Sequence, residues 1–388
     1  MAQSWLGNLR RDLEAPIAVR RFGSGWFSGF FALLLALAGL SLVAALRWPD
    51  WFAMPELGIL RDTAGFRLVV HLVLLSSYAL ALLSLLLRPR KVIGATALLI
   101  ALLASFLGGA GVQPQETASF GIFFGVDFFA VNMIATGLMF APIERMFPHN
   151  AEQRLFRTEW REDLFYYLLS SMLVQIITFL ALAPSTFVMA RTGAFADFRA
   201  AVAAQPWMLQ FLEAMLVTDL AQYWFHRAFH RFPFLWGFHA VHHSAKSMDW
   251  LAGARMHFVE IVALRGITSL PLLTLGFAPS VMQAYIAMVY VYASLVHANL
   301  RGDFNWLGRF LVIPRFHHWH HAIEAEGVDK NFAIHFPWLD RLFGTHYLPA
   351  GRWPTGYGVP ESVPSGYRAQ LLYPLRRVRL MKEDERSS

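Results

Sequence analysis

Residues 219–243 read DLAQYWFHRAFHRFPFLWGFHAVHH, and the reading of the whole chain turns on them. They hold His226-x-x-x-His230 and His239-x-x-His242-His243, and far downstream stands His317-His318-Trp319-His320-His321. Nine of the chain's fifteen histidines fall in these three short boxes. On a helix, residues i and i+4 share one face, so His226 and His230 project side by side. The other two boxes repeat that spacing with His239, His242, His243 and with His317, His320, His321. Imidazole binds zinc, iron, copper or nickel, and four ligands complete a tetrahedral zinc site. Eight histidines at ligand spacing are too many for one metal and suit two. The bland alternative is a set of polar histidines at a membrane interface. Three boxes repeating one spacing argue against it, because burying unpaired imidazoles is costly.

Working outward, Asp219, Gln222, His226 and His230 recur every three or four residues. They form one polar stripe on an apolar helix that begins near Trp207. The chain of 388 residues is 56% hydrophobic and only 15% charged. Apolar runs at 26–46, 68–87, 92–112, 120–143, 164–190, 261–278 and 279–300 approach or exceed the length that crosses a bilayer. Arg265 and Pro271 interrupt the run at 261–278, so the last two make a hairpin. The expectation is an all-α, polytopic helical membrane protein with a histidine-rich catalytic cap, eight segments crossing if the hairpin spans fully. Asp127, inside the fourth run, is read as a structural hydrogen-bonding group. The net charge of +7 reflects arginines in the connections, which serve orientation and lipid headgroups and not nucleic acid. There is no cysteine, hence no disulfide, thiolate ligand or iron–sulfur cluster.

Positive charge sets the orientation. The N-terminal tail, the 88–91 connection and the 145–161 connection carry eleven Arg and Lys residues, against five in the alternating loops. That places the N-terminus in the cytoplasm, and following the helices brings all three boxes and the C-terminus to the same face. The chain is read as residues 1–205, a transmembrane helical region of about five spans; 206–346, the histidine-box domain; and 347–388, a Pro- and Arg-rich cytoplasmic tail.

At these residues the chain resembles the fatty acid hydroxylase/sterol desaturase superfamily of integral-membrane oxygenases. The pattern H-x-x-x-H, H-x-x-H-H, H-x-x-H-H is met by His226/His230, His239/His242/His243 and His317/His320/His321. Flanking residues agree: Asp219, Arg255-x-His257-x-x-Glu260, His297-Ala298-Asn299, Pro314-Arg315-Phe316, and Trp338-x-Asp340-Arg341. The likeness runs from Asp219 to Thr345 and leaves residues 1–205 outside it. It implies a centre of two iron ions, with zinc possible in isolated protein, that uses O2 on a lipid C–H position. His297 joins the eight box histidines as a ninth ligand. Asp219, His257, Glu260 and His318 are read as groups that orient the ligands, while His71, His149, His335 and His346 stay outside the site.

The function expected is a membrane-bound non-haem di-iron hydroxylase or desaturase of a bacterial inner membrane. Its partners are a lipid substrate, O2 and a separate electron donor, a ferredoxin or cytochrome with its reductase. The donor is required because no flavin, nicotinamide or haem module is visible. The alternative is a zinc-dependent membrane lipid hydrolase acting through metal-bound water. A metal transporter is weaker still, since transport sites lie at mid-membrane and these histidines gather at one face.

Overall fold

The computed structural model describes residues 4–48, 64–108, 126–191, 196–302, 304 and 306–387. Its helices are α1 (Trp5–Leu13), α2 (Trp26–Arg47), α3 (Ala64–Leu87), α4 (Val92–Phe106), α5 (Val126–Met146), α6 (Trp160–Met172), α7 (Val174–Arg191) and α8 (Ala196–Ala203). They continue with α9 (Trp207–Arg231), α10 (Pro233–His243), α11 (Phe258–Thr274), α12 (Pro279–His297), α13 (Pro314–His320), α14 (Pro337–Leu342) and α15 (Tyr367–Ser387). The described residues contain no strand, only one isolated bridge between Ala322 and Tyr357. They form two compact units, Met1–Arg157 with Ser171–Gln175, and Thr158–Ser170 with Ile176–Ser388.

In the first unit α2, α3 and α4 pack together through small side chains. Ala32 and Ala36 of α2, Ala81 of α3, and Ala97 and Ala101 of α4 are all fully buried. Small residues let helix backbones approach closely where lipid supplies no hydrophobic force between helices. Ser77 and Ser84 donate across the seam to the carbonyls of Ala32 (2.9 Å) and Gly25 (2.8 Å). The large apolar side chains point the other way: Leu72, Leu75, Leu82 and Leu86 of α3, and Leu99, Leu102 and Phe106 of α4, are exposed. Polar seams inside and leucines outside suit a surface bathed in lipid. Among the described residues, Trp26–Arg47, Gly65–Leu87 and Pro279–His297 are long and apolar enough to cross a membrane. The all-α, multi-span character expected from composition is thus what the chain forms.

The local boundaries differ from the uncharged runs. The helix in the run at 92–112, α4, stops at Phe106, and residues 109–125 lie outside the described residues, as does the side chain of Asp127. The run at 164–190 is divided at Leu173 into α6 and α7. An unbroken apolar composition carries no signal for such a break.

In the second unit α9 packs on both α11 and α12. The hairpin between the latter turns at Gly276, which has a φ of +87° and lies against Arg199. A Cβ added there would come within 2.9 Å of the Arg199 backbone, so only glycine fits the turn. The Pro- and Arg-rich segment read as a tail becomes helical at Tyr367. It lies along α10, and Tyr166 of α6 donates to Gln370 (2.7 Å).

Candidate metal centre

Three helices deliver the boxes, and proline starts two of them. α9 carries Asp219, His226 and His230 and ends where Phe232 turns extended (φ −100°, ψ 119°) ahead of Pro233. A residue before proline is pushed out of the helical region, and proline itself suits a helix's first turn. The chain therefore breaks and restarts as α10, which returns His239, His242 and His243 towards His226. Pro314 begins α13 in the same way after an extended Ile313, bringing His317, His320 and then His321. His297 is the last residue of α12. Its ring lies close to Gly253, where a Cβ would come within 2.9 Å of Nδ1, so the glycine makes room for the imidazole.

The nine histidines fall into two groups. His226, His230, His239, His243 and His320 form one; His242, His297, His317 and His321 form the other. Within each group one ring nitrogen from every member lies within 4.8 Å of the rest. In the first, Nε2 atoms stand 3.0 Å apart for His226 and His239, 3.1 Å for His239 and His243, and 3.0 Å for His243 and His320. In the second the spacings are 3.3 Å for His242 and His297, 3.0 Å for His297 and His317, and 3.2 Å for His317 and His321.

The outer nitrogens decide what these contacts are. His226 Nδ1 donates to the carbonyl of Phe332 (2.9 Å), and His320 Nδ1 to that of Lys330 (2.7 Å). His242 Nδ1 donates to Arg255 (2.9 Å) and His297 Nδ1 to Ala293 (2.7 Å). A carbonyl only accepts, so Nδ1 carries the proton and Nε2 of a neutral ring is a bare lone pair. Burial holds His239, His242, His243, His317, His320 and His321 well below the ordinary imidazole range, with neighbouring imidazoles adding to the effect, so these rings are neutral. His242 and His297 then face each other lone pair to lone pair, which is repulsive without a cation between them. His230 Nε2 is buried with no hydrogen-bond partner at all. Both groups fit a metal that prefers nitrogen ligands, and for His226, His230, His239, His320, His242 and His297 the second nitrogen is held by a hydrogen bond, as is usual for a metal-bound histidine.

The four residues expected to orient ligands are placed differently from one another. Glu260 is fully buried and its carboxylate meets Nδ1 of His239. His257 caps α11 by accepting from the Val259 N–H (3.1 Å), and its Nε2 donates to the Leu371 carbonyl (3.1 Å). His318 points away from the cluster, with Nδ1 on Tyr357 Oη (2.8 Å) and Nε2 on the backbone carbonyl of His297 (3.2 Å). Asp219 touches no metal-facing nitrogen; its carboxylate accepts the N–H groups of Ile334, His335 and Phe336. His335, left outside the site by the sequence, is fully buried and bonds Tyr285 Oη through Nε2 (3.1 Å). The sequence reading missed Asp329, whose carboxylate accepts from His230 Nδ1 (3.1 Å), and the carbonyls of Lys330 and Phe332. A charged residue in a polar turn has no signature of its own, and backbone acceptors have no residue type.

Residues 211–345 match the fatty acid hydroxylase family, a stretch that includes every histidine of both groups. The chain is similar to ornithine lipid hydroxylase OlsE of Rhizobium tropici, 27% identical over 253 residues that span 64% of this chain and 76% of that protein. Alkylglycerol monooxygenase of Danio rerio is 34% identical over 37% of this chain and 30% of its own length. Methylsterol monooxygenase 1-3 of Arabidopsis thaliana is 28% identical over 35% and 47% respectively. This chain spans less than half the length of each of these last two. No solved structure matches the chain.

Proposed function

We propose that the protein is a membrane-bound, non-haem di-iron lipid hydroxylase, with one metal in each histidine group. The observation that supports this most directly is the convergence of nine buried imidazoles, six of which have their outer nitrogens already engaged. The named relatives are hydroxylases and monooxygenases, which favours an oxygenase over the zinc hydrolase. When bound, iron supplies the redox chemistry that zinc lacks, activating O2 with two external electrons. The overall reaction converts a lipid C–H to C–OH, with the second oxygen atom leaving as water and two protons consumed.

The chain's own residues do the rest. Nine imidazoles fix the two positions, and Glu260, Asp329 and the backbone carbonyls of Ala293, Arg255, Lys330 and Phe332 hold each of six rings to one orientation. Aromatic side chains of Phe229, Trp236 and Phe332 pack edge-on at ring-centroid distances of 5.0–6.1 Å from His226, His230 and His239, and exclude water from that side. The relatives act on ornithine lipids, alkylglycerols and methylsterols by name, so the substrate is placed in the lipid class. Electrons come from a separate ferredoxin or cytochrome with its reductase, docking on the cytoplasmic face.

The test is a lipid comparison of cells with and without the protein under 18O2. A product one 18O atom heavier, absent when any of the nine histidines is changed to alanine and retained in His71→Ala, supports the reading; His71 is exposed on α3. Oxygen-independent lipid cleavage by a zinc-loaded preparation refutes it.

A further inference from the structure

Residues 329–336, Asp-Lys-Asn-Phe-Ala-Ile-His-Phe, belong to no helix, yet they serve one of the two histidine groups alone. Asp329 accepts from His230, the Lys330 carbonyl from His320, and the Phe332 carbonyl from His226. Three of the five rings in the first group are thus oriented by four consecutive residues. In the second group, the acceptors for His242 and His297 come from Arg255 and Ala293.

An extended strap can aim three rings only if it is itself held. Every backbone N–H from 331 to 336 has an acceptor. Asn331 donates to the Thr345 carbonyl (2.9 Å), and Phe332 and Ala333 donate to the Asp340 carboxylate (2.8 and 2.9 Å). Ile334, His335 and Phe336 donate to Asp219 (2.9, 3.1 and 2.7 Å). The Asn331 side chain adds bonds to the carbonyls of Phe316 (2.9 Å) and Tyr347 (2.7 Å), and accepts from the Tyr347 N–H (2.8 Å). Asp219 and Asp340 are both fully buried. Burying two carboxylates is costly, and here backbone N–H groups of the strap offset that cost. Asp329 and Asn331 sit at φ +55° and +61°, a left-handed conformation that Asp and Asn tolerate better than most residues. The strap is therefore shaped by local chemistry as well as clamped from outside.

We propose that this strap is the aiming device of the five-histidine group, with Asp329 a direct positioning residue and Asp219 and Asp340 positioning residues that act through the strap's backbone. The proposal rests on the reading of that group as a metal position. It assigns the two buried aspartates a selective influence on one metal, which general reinforcement of the fold does not give.

Co2+ loading of the detergent-solubilised full chain tests it, reading stoichiometry, affinity by chelator competition and the visible absorption of bound Co2+. The wild type is expected to take two ions. Asp329→Gly removes the acceptor while accommodating the positive φ, and the Asp329 side chain is 65% exposed, so the fold is not at stake. It is expected to weaken one ion by about 10–100-fold and leave the other unchanged. Asp329→Asn keeps an acceptor oxygen and should restore wild-type binding. Asp219→Asn and Asp340→Asn should weaken the same ion, with the same spectral component reduced. Wild-type affinity for both ions in Asp329→Gly and Asp219→Asn overturns the proposal, as does equal weakening of both ions. A wild type that binds no Co2+ overturns the metal reading itself, and the strap's role with it.

Discussion

Glu260 presses its carboxylate against Nδ1 of His239, while Nε2 of the same ring stands 3.0 Å from Nε2 of His226. A carboxylate on the outer nitrogen raises the basicity of the inner one and fixes its direction. Glu260→Gln keeps the shape and removes the charge. The expected result is a loss of about tenfold or more in metal affinity at the five-histidine group, with the protein still folded. Chelator competition with Co2+ measures it. Unchanged affinity in the Gln variant would mean that Glu260 only fills space.

Arg255 couples the site to α6. Its Nε donates to Asp163 (2.5 Å), its other nitrogens lie 3.8 Å from Glu159 and 3.7 Å from Glu162, and its carbonyl receives His242. Asp163 is fully buried, so Arg255→Gln takes a bonded cation away from a buried carboxylate. Breaking a buried pair from one side costs roughly 3–5 kcal/mol, whereas removing both charges costs less. Arg255→Gln should therefore lower the melting temperature more than Arg255→Gln combined with Asp163→Asn. A double variant as unstable as the sum of the two single changes would show that the charges do not interact.

His335 gives a prediction in pH. Burial lowers its pKa from the ordinary imidazole value to about 4, so the folded protein holds it neutral. Between pH 6.5 and 4 the unfolded chain binds a proton there that the native state does not. Stability from this residue is therefore intact above pH 6.5 and falls as the pH drops towards 4, by roughly 3 kcal/mol in all. His335→Gln loses the bond to Tyr285 at every pH but escapes the acid penalty. The gap in melting temperature between wild type and variant should narrow from pH 7.5 to pH 4.5. A constant gap would place the acid sensitivity elsewhere.

The histidines were legible because helical spacing alone predicts which of them share a face, and a metal group needs little more. Glu260 was legible only through its place in Arg255-x-His257-x-x-Glu260. That motif proves to do three separate jobs: Arg255 ties to α6, His257 caps α11, and Glu260 meets His239. What the sequence could not carry was the division of nine histidines into five and four. It depends on how four helices converge: His242 and His243 are neighbours on α10, about 100° apart around its axis, and so reach different groups. The strap was hidden for a different reason, since its main contributions to the site are backbone carbonyls. His335 looked dispensable for want of a partner in the sequence, and its partner Tyr285 lies fifty residues away on α12.

Orientation in the membrane is the last prediction. Eleven Arg and Lys residues in the N-terminal tail and alternate connections outnumber five in the opposing loops, and the excess of cationic residues marks the cytoplasmic side. Lys246 lies three residues beyond His243 on the histidine-bearing face and is exposed. The chain has no cysteine, so Lys246→Cys introduces a single reactive thiol. A membrane-impermeant maleimide should label it only after the cells are opened, and a cysteine in place of Arg21, also exposed, should behave alike because both sites are expected to face the cytoplasm. Labelling of Lys246→Cys in intact cells would put the metal centre on the outer face. A cytoplasmic reductase could not then reach it, and the electron donor would have to be sought outside the cytoplasm.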